Sequence, residues 1–382
     1  MKNRENAAPQ ITHFTIERRA LLPALAVVNR AVEKRPTVPI LGNVLIAWED
    51  GHLTVSGTNL DVEVKARALQ AGIPKFPAFT VSSALLHSAV GKLPDGCEIE
   101  FEGDNAIINI RAGRSRLQIP VLPASDFPVM PGNNFPHGFS LSANDLSRVL
   151  STVGFAVSTE EQRYYLNGIF MHSDKGKLTF VATDGHQFAH MKVNAPDGCD
   201  GMPGVIIPRG VLPLLAHCTK ASGDVAISLS DSKIRASFQD GVTVTSKLVD
   251  GTYPDYQRII PTRNDKFYHV DREAMLAAIS RVSLVVSEKS DAIKFAFGAD
   301  DVRLEIENPQ AGTMEDAVSL SDSHPEDTVI ALSYKYCTNV LSAIGSEEVR
   351  FALESPTSPC LVSPVQDPEA GDLPLFIIMP MR

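Results

Sequence analysis

Three segments of this 382-residue chain repeat one pattern, which favours three copies of one unit over a single large core. They are Phe14-Thr-Ile-Glu-Arg-Arg-Ala-Leu21, Phe139-Ser-Leu-Ser-Ala-Asn-Asp-Leu146 and Tyr268-His-Val-Asp-Arg-Glu-Ala-Met275. Their starts lie 125 and 129 residues apart (139−14 and 268−139). Each passes from an alternating strand, through a polar break, into a run with helical spacing: Leu21–Val32, Leu146–Val157 and Met275–Val286. A second strand-to-helix unit recurs within each copy, at Val81, Ile207 and Leu332, with separations of 126 and 125 residues (207−81 and 332−207). Alternating strands such as Leu53-Thr-Val-Ser, Leu178-Thr-Phe-Val and Leu304-Glu-Ile-Glu lie between, set off by turns at Glu49-Asp-Gly51, Asp174-Lys-Gly176 and Gly298-Ala-Asp300. The spacing predicts an α+β chain whose copies each hold two helices and roughly eight strands in about 125 residues, the size of one ordinary domain. Expected boundaries are an N-terminal extension 1–13, then domains 14–135, 136–264 and 265–382.

Composition narrows the function. No stretch approaches the ~18 consecutive apolar residues of a membrane helix, and the polar start, Met1 to His13, lacks a signal-peptide core. It reads as a loose extension. The five cysteines (Cys97, Cys199, Cys218, Cys337, Cys360) form no CxxC pair, which favours reduced thiols in the cytoplasm over a disulfide framework or a zinc site. No cofactor or metal is expected.

Net charge is −10, which disfavours a protein that binds nucleic acid over its whole surface. The expected helices and their ends nevertheless carry Arg18, Arg19, Arg30, Lys92, Arg148, Arg209, Lys220, Arg272, Arg281 and Lys335. Only Glu17, Asp145, Asp271 and Glu273 oppose them in those segments. A chain with its helices on one side would present a basic face there and an acidic one elsewhere. Solvated helix faces account for the same cations equally simply.

Six ordered motifs carry a family resemblance. Arg35-Pro-Thr-Val-Pro-Ile-Leu-Gly-Asn43, Arg163-Tyr-Tyr-Leu-Asn-Gly168, Ala182-Thr-Asp-Gly-His186, Ser246-Lys-Leu-Val-Asp-Gly251, Tyr253-Pro-Asp-Tyr256 and Met379-Pro-Met-Arg382 closely resemble the bacterial DNA polymerase III β subunit, from about Phe14 to the last residue. The resemblance implies three clamp-type domains per chain and a head-to-tail homodimer closed into a ring. Such a ring encircles duplex DNA without reading bases. It tethers the replicative polymerase, and it binds the clamp loader and other proteins bearing a clamp-binding peptide.

The resemblance also implies site residues. A partner-peptide pocket maps to Leu166, Thr183, Gly185, His186, Phe188, Pro254, Arg258, Ile259, Tyr336, Val349, Ile377, Ile378, Met379, Pro380, Met381 and Arg382. Aliphatic and methionine side chains with a few polar groups suit an extended apolar peptide. For Leu166, Ile259 and Val349, ordinary core packing explains the residue equally well. Implied DNA contacts are Arg35, Tyr164 and Tyr165, with Arg163 and Arg209 as weaker candidates; Glu160 stands where a neutral glutamine is usual and opposes a phosphate contact. The implied dimer edges are Arg114, Arg116, Leu117 and Ile119 on one side, and Leu284, Val285, Glu315 and Asp316 on the other. Ser290 and Ser333 depart from the family pattern beside the pocket, and an acidic Pro/Gly insertion spans Gln366 to Gly371. Ser290, Ser333 and the chain end at Arg382, where some relatives carry one more apolar residue, motivate an alternative, a clamp-like paralogue with altered partner specificity.

Asp184-Gly-His186 invites a hydrolase reading, with a carboxylate orienting an imidazole. The chain holds no GxSxG, HExxH, P-loop or GxGxxG to complete it, so a non-catalytic role is expected. At the dimer edge, Gln310 and Gly312 take two positions that are usually acidic. That thinning predicts an interface more apolar than ionic. Sedimentation across a salt series should show dimer dissociation nearly independent of ionic strength, and a steep rise with salt would contradict it.

Overall fold

The computed structural model describes residues 12–131, 134–221, 223–286, 291–365 and 372–381. The N-terminal extension up to residue 11, Ser290, the 366–371 insertion and Arg382 therefore lie outside the described residues.

The repeat is visible element by element. The first copy runs β1 (Thr12–Glu17), α1 (Arg18–Val28), β2 (Asn43–Glu49), β3 (His52–Thr58), β4 (Val62–Arg67), β5 (Phe79–Ser82), α2 (Ser83–Gly91), β6 (Glu98–Gly103), β7 (Ile107–Ala112) and β8 (Ser115–Pro120). The second runs β9 (His137–Ser142), α3 (Ala143–Val153), β10 (Gly168–Asp174), β11 (Lys177–Thr183), β12 (Gln187–Asn194), β13 (Val205–Pro208), α4 (Leu212–Cys218), β14 (Asp224–Leu229), β15 (Lys233–Phe238) and β16 (Val242–Lys247). The third runs β17 (Lys266–Asp271), α5 (Arg272–Val282), β18 (Ala292–Phe297), β19 (Asp301–Asn308), β20 (Gly312–Ser323), β21 (Thr328–Ser333), α6 (Tyr334–Ala343), β22 (Glu348–Leu353), β23 (Cys360–Pro364) and β24 (Leu375–Ile378). All the strand pairs are antiparallel, as an α+β chain of this repeat demands.

The first helix of each copy starts three residues before the expected run and ends four before its end. The strand hands over directly to the helix at a cap. In the third copy the Asp271 carboxylate accepts the Ala274 N–H at 2.7 Å. The apolar residues past the helix ends are not helical: Gly154–Ala156 and Ser283–Val285 form tight 3₁₀ turns.

Two compact units result, one comprising residues up to Asn144 with Gly210–Leu248, the other Asp145–Arg209 with Val249–Arg382. The second copy contributes to both, because its two groups of strands extend different sheets. In the first unit β4 pairs with β16, setting Val64 opposite Val244 in an eight-stranded sheet ordered β5-β2-β3-β4-β16-β15-β14-β9. A second sheet there is ordered β1-β6-β7-β8. Its buried face is aromatic, with Phe14 stacked on Phe76 at 4.2 Å and on Phe101 at 4.8 Å.

The other unit holds a twelve-stranded sheet, β13-β10-β11-β12-β24-β23-β22-β17-β20-β19-β18-β21, joined by the β12–β24 pair. Strict alternation gives β19 one buried face, with Val302, Leu304 and Ile306 inward. Tyr268 is fully buried beside Phe297 at 4.7 Å, and its hydroxyl donates to the Glu326 carbonyl at 2.5 Å.

Candidate partner-binding cleft

The β12–β24 pair builds the floor of a cleft. Phe188 on β12 lies opposite Ile377 on β24, and both are buried with Leu166, Val181, Ile206, Tyr253 and Tyr256. The pairing continues past β24 as the Met379 N–H donates to the His186 carbonyl at 2.8 Å. That bond sets Met379 at the mouth, where it and Ile259 are 40% and 46% exposed. Apolar side chains half in water over an apolar floor are poised to be covered by something.

One wall is the turn from β11 to β12. The Asp184 carboxylate accepts the His186 and Gln187 backbone N–H groups at 2.8 Å each and the Gln187 side-chain amide at 2.9 Å. The Thr183 hydroxyl donates to the Gln187 carbonyl at 2.7 Å. Gly185 sits at φ +93°, open to glycine but strained for other residues. A Cβ there would meet the Arg163 guanidinium at 2.5 Å. The His186 ring stacks on Tyr336 with centroids 6.0 Å apart. Asp184 thus braces backbone, and no hydrogen bond joins it to the imidazole among the described residues.

The opposite wall follows Tyr253-Pro-Asp-Tyr256. Tyr256 opens a 3₁₀ turn ending at Ile259, and its hydroxyl lies 2.8 Å from His172 Nε2. Phe188 and His190 flank the same ring at 6.0 and 5.9 Å. Burial, then the Lys192 charge, pushes the His190 imidazole down to about 4, and burial lowers His172 as well. The support beneath the turn is therefore uncharged near neutral pH. Arg258 pairs with Asp255 at 2.8 Å.

The cleft has a volume of about 600 Å³, inside the ~300–1,000 Å³ range of small-ligand sites. Ten expected residues line it: Leu166, Thr183, Gly185, His186, Phe188, Pro254, Arg258, Ile259, Ile377 and Met379. Several others are elsewhere. Val349 is fully buried in β22, where it pairs with Val270 and Pro364. Ile378 is also fully buried and, by strand alternation, points away from Ile377. Tyr336 stacks on His186 and stands outside the lining, as do Pro380 and Met381 after the strand. Ser333 is buried and donates to Asp291 at 2.9 Å, so its departure does not alter the cleft surface.

Seven lining residues went unanticipated: Gln187, Ile260, Pro261, Thr262, Arg263, Glu354 and Pro359. None of them falls inside a motif that carries the family resemblance. Only the tertiary fold brings them together.

The other expected sites are distributed as follows. Arg35 is exposed in the loop after α1, and Arg209 is exposed beyond β13. Tyr164 is exposed and meets Tyr165 edge-on at 5.8 Å. Arg163, expected as a weak DNA contact, is instead held in a two-pronged pair with Glu160, at 2.8 and 2.5 Å, against the cleft wall. That guanidinium keeps the Glu160 carboxyl below its usual range. Arg114, Arg116 and Glu315 are exposed, Leu117 and Val285 half-buried, and Leu284 is 78% exposed. Ile119 departs from the expectation: it faces the core on β8 and is buried. Asp316 is already bound to Arg281 at 2.6 Å.

Residues 12–131, 140–255 and 257–382 match, in order, the N-terminal, central and C-terminal domains of the DNA polymerase III beta subunit family. The chain belongs to the DNA polymerase III β subunit family. The beta sliding clamp of Caulobacter vibrioides is 37% identical over 97% of this chain and 99% of its own length. That of Escherichia coli K12 is 31% identical over 97% of this chain and 99% of its own. Among solved structures, a DnaN sliding clamp from Bartonella birtlesii bound to griselimycin superposes with a TM-score of 0.92 and 39% identity, covering 97% of this chain and all of that one. A DNA polymerase sliding clamp from Caulobacter crescentus gives 0.89 and 36%, covering 97% of this chain and all of that one. The three expected clamp-type domains are thus those of this β subunit family.

The bracing of the β11–β12 turn yields a prediction. Asp184→Ala removes one acceptor from three donors, and Gln187 is buried. Chemical denaturation should show a loss of about 1–3 kcal/mol, with faster amide exchange at His186 and Gln187. Unchanged stability and exchange would contradict the bracing role.

Proposed function

We propose that this chain is a DNA sliding clamp, a non-catalytic processivity subunit that encircles duplex DNA as a head-to-tail homodimer. The apolar cleft carries the reading: it is a preformed site with an apolar floor and two exposed anchors at its mouth. It suits a short extended peptide on the replicative polymerase catalytic subunit, the clamp loader or another clamp-binding protein. A polymerase held this way stays near the primer end, because the tether raises its effective concentration there. No chemistry is needed from the clamp itself.

Ring closure calls for two free edges. β8 ends its sheet, and β20 from Gly312 to Ser319 is paired on one side only, by β19. Exposed strand edges invite pairing, and β8 of one chain against β20 of the next gives a head-to-tail closed pair. Leu117, Leu284 and Val285 lie at the contact, and the Arg281–Asp316 pair leaves it one charge poorer.

Duplex DNA would be held topologically, with Arg35, Tyr164, Tyr165 and Arg209 touching phosphates and sugars. Six of the ten helix-associated cations have local carboxylate partners: Arg18, Arg19, Arg148, Arg272, Arg281 and Lys335. The Arg19 and Arg148 pairs are exposed and weak, so phosphates can compete for them. Arg30, Lys92, Arg209 and Lys220 have no carboxylate partner among the described residues. No helix of the described residues is long and apolar enough to cross a membrane, and we place the protein in the cytoplasm with the DNA.

The direct test loads the purified protein onto DNA with a clamp loader and ATP. Protein should stay on closed circles through gel filtration and be lost when the circle is cut. Equal retention on circular and linear DNA would mean ordinary electrostatic binding and would overturn the proposal.

A further inference from the structure

One end of the cleft carries charge that no internal partner satisfies. Arg258 is paired with Asp255, whereas Arg263, which lines the same cleft, makes no ion pair with any described residue. Its position is fixed by its neighbour: the Asn264 side-chain amide donates to the carbonyls of Ala352 and Pro359 at 2.8 Å each. That staple ties the 262–265 segment to the turn between β22 and β23. Glu354 and Pro359, from the two ends of that turn, line the cleft with Arg263. Among the described residues Glu354 makes one long hydrogen bond, accepting from the Ser358 hydroxyl at 3.4 Å, and no ion pair.

A guanidinium presents a planar fork of donors that matches a carboxylate. An exposed cation beside an apolar cleft gains most from an anion that the cleft itself delivers. We propose that Arg263 is a specificity-determining residue that favours partner peptides bearing a carboxylate beside their apolar anchors, and that Glu354 tunes this by opposing the same carboxylate. The proposal rests on the cleft being a peptide-binding site. The carboxylate can belong to an Asp or Glu side chain or to a chain terminus, since either offers the same two oxygens. At Arg258 a peptide carboxylate would have to displace Asp255, whereas Arg263 has no described carboxylate to displace.

Fluorescence polarisation with the full-length protein tests the idea with four labelled probes. The reference is the amidated peptide Gln-Leu-Ala-Leu-Leu. The others carry an added N-terminal Asp, an added C-terminal Asp with amide, or a free C-terminal carboxylate. At low salt at least one acidic probe should bind about three- to five-fold tighter than the reference, the scale of an exposed charge pair. The gain should shrink as salt rises, vanish in Arg263→Ala and grow in Glu354→Gln. A gain in affinity from Glu354→Gln cannot come from misfolding. Which acidic probe benefits identifies the source of the carboxylate. If all four probes bind equally and Ile259→Ser abolishes them all, the cleft reading stands and the role of Arg263 is overturned. If no probe binds at all, the peptide-cleft reading falls and this inference with it.

Discussion

The β12–β24 pairing is the interaction on which the site depends. Its register, Gln187 to Ile378 through His190 to Leu375, sets Phe188 against Ile377 and delivers Met379 to the cleft mouth. A shift of one residue would turn Ile378 toward the cleft and Ile377 away, because side chains alternate along a strand. Here the register is held by backbone bonds and by burial on both faces, since Ile377 and Ile378 are both inaccessible. The first unit uses the same device at β4–β16. Repeats joined edge to edge satisfy each other's backbone donors and leave few edges free.

Much of the fold was legible because repetition multiplies weak local signals. Eight strands and two α-helices per copy follow the alternation and helical spacing read from the three seed segments. Helix ends were less legible: apolar residues such as Ala156 and Val285 extend the pattern but sit in 3₁₀ turns. The cleft divided along similar lines. Residues inside motifs with turn or 3₁₀ chemistry, such as Thr183, Gly185 and Pro254, line it as expected. Val349 and Ile378 do not, and Ile119 turns inward from the expected dimer edge, since a strand residue's facing depends on register, which composition does not reveal. Arg263 and Glu354 were invisible for the opposite reason. Nothing local marks them; the β17–β22 pairing, with Lys266 opposite Leu353, and the Asn264 staple bring their segments together.

Charge is handled locally. A chain of net charge −10 keeps cations at its helices by giving many of them a nearby carboxylate, as Arg148 has in Asp145 at 3.1 Å. The same logic pairs Arg163 with Glu160 beside the cleft wall, so a phosphate there would have to displace that carboxylate. Cations without such partners contribute a local positive field. Next to α4, Arg30 and Lys220, after burial, hold the His217 imidazole below its ordinary range. Such a field attracts phosphates without selecting bases, which is what a sliding ring requires.

Amide hydrogen exchange across a protein dilution series reads out ring closure through the two strand edges. Amides of β8 (Ser115–Pro120) and of β20 from Gly312 to Ser319 should exchange slowly at high concentration. On dilution below the dimer dissociation constant they should speed up together, while interior strands such as β11 stay protected. Exchange at both edges that is fast and independent of concentration would contradict closure by these strands.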